Sequence, residues 1–93
     1  MSKYRISRTK KFKKQYKILE KRNYNMQLLD EIIVLLAKGE TLPEKYDDHP
    51  LKGTLAGYRD CHIKDDWVLI YRIIGNVLIL LLFETGTHTD LFE

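Results

Sequence analysis

The chain has 93 residues, a length that suits one domain with a modest core. Its single cysteine, Cys61, excludes an internal disulfide framework and fits a reducing compartment. The formal net charge of +3 conceals a division. Residues 1–22 hold ten of the sixteen Lys and Arg against one acid, whereas the rest holds six bases against twelve acids. A basic segment of this kind either binds phosphates or is a solvated helix face, and charge alone does not choose between them.

In chain order, "YRIS" (Tyr4–Ser7) reads as a short first strand. Thr9 is placed to cap a helix over 10–23, with Phe12, Tyr16 and Leu19 on one face and lysines on the other. A second helix is expected over 25–38, with Met26, Leu29, Ile32, Ile33 and Leu36 on its apolar side and Gly39 as its stop. Residues 40–53 contain both prolines and four acids and read as a surface loop. Three strands follow, over 58–63, 67–74 and 77–83, joined by tight turns at "KDD" and "GN". The last two strands are apolar on both faces, which places them centrally in the sheet. "GTHTDLF" closes the chain as a short helical turn. The order β-α-α-β-β-β is an α+β fold: an antiparallel sheet with a helical hairpin packed on one face, in a single domain over 1–93.

The longest apolar run, "VLILLLF", is seven residues, against the roughly 20 of a membrane span. "MSKYRISRTKKFKKQY" lacks the apolar stretch of a secretory leader. The expectation is a soluble, cytoplasmic protein.

The chemistry concentrates in the second half, which carries all three histidines, each beside acids. Alternation along the 58–63 strand sets Tyr58, Asp60 and His62 on one face and Arg59, Cys61 and Ile63 on the other. His62 is a candidate for acid–base work, because an imidazole's unperturbed pKa of about 6.5 lies near working pH. Asp66 can orient an imidazole or accept a proton, and Trp67 reads as a core anchor. His49 and His88 complete the group. The spacings of 13 and 26 residues between histidines do not match metal motifs, so no metal or other cofactor is expected. No Gly-rich phosphate loop or Ser-centred nucleophile elbow is present. Imidazoles, carboxylates and a basic helix permit RNA cleavage by the 2′-hydroxyl, with Arg59 or Lys52 neutralising phosphate.

"DHPLKGTLAGYRDCHIKDDWVLIYRI" followed by "TGTHTDLF" resembles the YafQ-type toxins of the RelE superfamily, from bacterial type II toxin–antitoxin systems. The resemblance implies the RelE-like fold and a ribosome-dependent endoribonuclease that cuts mRNA in the ribosomal A site and so inhibits translation. It implies a cognate antitoxin encoded alongside, the 70S ribosome and mRNA as partners, no membrane, and DNA only indirectly through the antitoxin. Carried over by position are His49, Asp60, His62, Asp66, His88 and Phe92, with His88 as general acid and Phe92 positioning a nucleotide. His49, His62 and Asp66 would share proton abstraction, orientation and phosphate stabilisation. Lys10, Lys11, Lys13, Lys14 and Lys17 are the expected ribosome-docking residues. Two positions depart from the pattern: Glu84 stands where relatives often carry Arg, and Asp65 where they often carry Pro. The alternative is a regulator that binds ribosome or RNA without cutting.

Overall fold

A computed structural model describes residues 3–75, 79–87 and 91. Strand β1 (Arg5–Arg8) leads into helix α1 (Lys10–Lys21), started by Thr9, whose Oγ1 accepts the Phe12 N–H at 3.0 Å. Helix α2 (Met26–Ala37) buries Leu29, Ile32, Ile33, Leu36 and Ala37. Its end is closed as the sequence suggests. Gly39 takes φ +78°, its N–H reaches Leu36 O, and the Glu40 N–H reaches Leu35 O. Both helices are one or two residues shorter than their apolar patterns at the ends. The Tyr16 hydroxyl donates to Asp30 Oδ1 at 2.9 Å and ties the hairpin across its outer side.

Strand β2 (His49–Pro50) lies inside the segment expected to be loop, after a 3₁₀ turn over Glu44–Tyr46. Its two residues pair with β3 (Arg59–Lys64), His49 opposite Asp60 and Pro50 opposite Arg59. Acids and prolines mask such a strand in sequence, because only its pairing with a neighbour defines it. Strand β4 (Trp67–Ile74) forms a hairpin with β3 through Asp65 and Asp66. Asp65 adopts φ +52° there, a conformation closed to proline.

Strand β5 (Ile79–Thr87) runs past the apolar stretch into "ETGT". The reason is visible in its partners. Thr85 and Thr87 continue the ladder opposite Leu69 and Trp67, and the Trp67 indole donates to Thr85 Oγ1 at 3.0 Å. The beginning of the expected last strand at Val77, and the terminal "HTD" and "FE", fall outside the described residues.

The strand order is β1-β5-β4-β3-β2, with β4 and β5 internal as their sequences require. Every neighbouring pair is antiparallel except β1 and β5, which run parallel. The parallel pairing follows from the connection, since the whole helical hairpin stands between β1 and the rest of the sheet. The helices cover one face, where Phe12, Leu19, Leu29, Ile32 and Leu36 pack with Cys61, Ile63, Trp67, Leu69, Tyr71 and Leu82. Each fully buried aliphatic or aromatic side chain contributes about 1.5–3 kcal/mol. Trp67 is a core anchor, set edge-on against Tyr24 at 5.1 Å.

Candidate active site

Alternation in β3 sends Cys61 and Ile63 to the helices and leaves Asp60 and His62 on the other face. That face is not an open sheet surface. Val68, Ile70 and Asp60 are buried there, and Leu91 lies 3.5 Å from where a Gly86 Cβ would stand. The paired row His62, Val68, Gly86 runs across β3, β4 and β5. Leu91 therefore lies against the same row that carries His62. The solvent-facing part of the site is its rim, at β2 and the preceding turn.

There the histidines meet. His49 Nε2 lies 2.9 Å from Asp60 Oδ1, and His49 Nδ1 lies 2.8 Å from the Asp47 carbonyl oxygen. The His49 and His62 rings stand 6.2 Å apart, inclined at 36°. Asp47 Oδ2 is 3.8 Å from His62 Nε2 and 3.9 Å from His49 Nδ1. The β2–β3 register explains this geometry. Extended by two residues past His49 and Asp60, it sets Asp47 beside His62. Asp47 holds a left-handed backbone, φ 47° and ψ 51°, which aspartate tolerates better than most residues.

Both ring nitrogens of His49 thus face oxygen acceptors. The side chain of Asp60 is 2 % exposed and that of His49 is 43 % exposed, so the carboxylate is fixed in the protein while the imidazole reaches solvent. The cluster sets one imidazole against a buried carboxylate at the surface, with a second, partly exposed imidazole beside it.

The remaining residues singled out in the sequence are distributed differently. Asp66 is exposed in the β3–β4 turn, at the sheet end where Thr87 pairs with Trp67. Thr87 is the residue before His88, and Leu91 the residue before Phe92; His88 and Phe92 themselves lie outside the described residues. Arg59 is not brought to the histidines. It pairs with Asp48 (Nε–Oδ1 3.2 Å) on the helix side of the sheet, because its position in β3 alternates with those of Asp60 and His62. Lys52 is exposed just beyond β2. Lys10, Lys11, Lys13, Lys14 and Lys17 are all exposed on α1, which packs against β5 on the helix side. Basic helix and histidine cluster therefore occupy opposite sides of the sheet.

Cys61 is fully buried, and burial pushes its thiol up, which removes it as a nucleophile. Among the described residues no cluster of three metal-ligating side chains occurs. Sequence reasoning missed Asp47 and Asp48. The signal that could have found them is the run "YDDH", acids immediately before a histidine in a segment that turns out to pair with β3.

Residues 4–93 match the family model described as the bacterial toxin of type II toxin–antitoxin systems, YafQ. The chain belongs to the YafQ toxin family. It is 43 % identical over 83 residues to the mRNA interferase toxin YafQ of Escherichia coli K12, covering 87 % of each chain. The crystal structure of YafQ from E. coli BL21(DE3) superimposes with a TM-score of 0.91 at 36 % identity, covering 97 % of this chain and 99 % of that one. YafQ in the E. coli DinJ–YafQ complex gives a TM-score of 0.89 at 37 % identity, with the same coverage. The resemblance read from the "DHPLKG" to "TGTHTDLF" motifs is borne out, and so is the α+β, YafQ-like fold.

Proposed function

We propose that this YafQ family member is an mRNA interferase, an endoribonuclease that cuts messages presented by the ribosome and is held inactive by a cognate antitoxin. The observation that carries the chemistry is His49, held between the Asp60 carboxylate and the Asp47 carbonyl with the His62 ring 6.2 Å away. The family of the chain and the name of its E. coli relative support the substrate class, and the DinJ–YafQ complex supports a partner antitoxin.

In this reading the 2′-hydroxyl of one nucleotide attacks the adjacent phosphorus, and the bond to the 5′-oxygen of the next nucleotide breaks. The products are a cyclic 2′,3′-phosphate and a free 5′-hydroxyl. The neutral His62 ring takes the 2′-hydroxyl proton. Protonated His49, its charge balanced by Asp60, faces the negative charge that grows on the phosphoryl oxygens. His88, next in the chain after Thr87, protonates the departing 5′-oxygen. Asp66 orients an imidazole at the same sheet end, and Phe92 positions a nucleotide. Arg59 is engaged with Asp48, so His49 and Lys52 supply the cationic character at the phosphate. No step uses a metal.

The test is single-turnover cleavage of a defined message on programmed ribosomes, with and without a chelator. His49→Ala and His62→Ala should each lower the rate by roughly 10²–10⁴-fold, and the chelator should leave the wild type unchanged. Ribosome binding by wild-type protein without any cut in the message sinks the nuclease reading and favours a non-cleaving regulator.

A further inference from the structure

Strand β2 has two residues, one of them a proline with no N–H for the ladder. So short a pairing does not hold register by itself, yet the site depends on it. A slip by one residue would turn His49 toward the helices and bring Asp48 to the histidine side. The structure supplies a second attachment at the residue between Asp47 and His49. Asp48 points to the helix side, where its Oδ1 accepts the Tyr71 hydroxyl at 2.6 Å and Arg59 Nε at 3.2 Å. Tyr71 is 1 % exposed on β4, in the core, and Arg59 is the ladder partner of both Pro50 and Tyr71. Burial, and then the bond to Asp48, push the Tyr71 phenol up, so it remains a donor through the neutral range.

We propose that Asp48 is a positioning residue: clamped to Tyr71 and Arg59 on the helix side of the sheet, it fixes Asp47 and His49 against His62 and Asp60 on the other. The inference rests on the reading of His49 as part of the reacting group. It also explains why Arg59 is not available to phosphate. Its guanidinium is used to hold the acid that sets the histidine.

The experiment uses the full chain with Asp48→Ala and Tyr71→Phe, singly and together, and Asp48→Asn. Three quantities are read: cleavage rate on saturating programmed ribosomes, half-saturating ribosome concentration, and the ring ¹H–¹⁵N spectrum of His49. The expected result is a saturated rate lowered about ten- to a hundredfold in both single variants, with half-saturation within about twofold of wild type. The His49 ring signals should shift in both. The double variant should be no slower than Asp48→Ala, because both changes cut one link. Asp48→Asn keeps an acceptor for the Tyr71 hydroxyl and should recover part of the rate. Unmoved His49 signals in Asp48→Ala and Tyr71→Phe overturn the proposal, even with a lowered melting temperature, since the clamp would then only stabilise. If wild type itself fails to cleave, the functional reading falls, and the ring spectrum still decides the positioning.

Discussion

Replacing Asp60 with Asn separates catalysis from stability. The carboxylate is almost wholly buried and its oxygen lies 2.9 Å from His49 Nε2. Asparagine matches it in shape but removes the charge. At this separation two unit charges attract by about 1.4 kcal/mol even at the dielectric constant of water. The exposure of the imidazole argues for staying near that screened limit rather than using an interior value. Losing that attraction costs about 1.4 kcal/mol at the screened limit wherever the ring faces the reaction as a cation, close to a factor of ten in rate. In the mechanism above this loss falls on the transition state, so cleavage should drop by about tenfold or more while ribosome affinity holds. Stability should move the other way or not at all. A buried carboxylate bears a desolvation cost that a neutral amide bears less of, so the melting temperature should equal or exceed that of wild type. Single-turnover cleavage and thermal unfolding measured on the same preparation test both halves. A rate within twofold of wild type would refute the claim that the Asp60 charge supports the reaction through His49.

His88→Gln retains size and hydrogen bonding but cannot donate a proton in the same way, so it should be nearly as slow as His88→Ala, roughly 10²–10⁴-fold below wild type; a near-normal rate assigns the acid to another residue. Changing Lys10, Lys11, Lys13, Lys14 and Lys17 together to Gln should weaken ribosome binding and flatten its salt dependence by about one unit of slope per lost phosphate contact. The same variant should melt normally, because all five side chains are exposed, and unchanged binding at physiological salt removes these lysines from docking. Cys61 should resist a thiol-alkylating reagent in the native protein and react on unfolding; rapid native labelling contradicts its burial.

The helices were the most legible part of the sequence because their signals are local. The Thr9 hydroxyl, the Phe12 to Leu19 spacing and Gly39 act within a few residues, and α1 and α2 follow them with only frayed ends. The family was legible for a similar reason, since its motifs are short runs with fixed spacing. The face alternation of Asp60 and His62 against Cys61 could also be read, because a strand's period of two is a property of its backbone.

What the sequence could not show depends on partners far along the chain. β2 is a strand only because β3 lies beside it, so the loop-like "DDHPL" concealed the pairing that joins His49 to Asp60. β5 extends through "ETGT" because Trp67 and Leu69 stand opposite its threonines. Arg59 reads as a phosphate ligand in sequence, but the fold pairs it with Asp48, which also accepts the Tyr71 hydroxyl. By itself the sequence determined which residue types were present, how they alternate within each element, and the family they belong to. Tertiary structure decided which of them meet. Register between strands is a long-range choice, set by buried contacts on both faces of the sheet, and His49, Asp47, Asp60 and His62 form a site only in the register that Tyr71 and the core enforce.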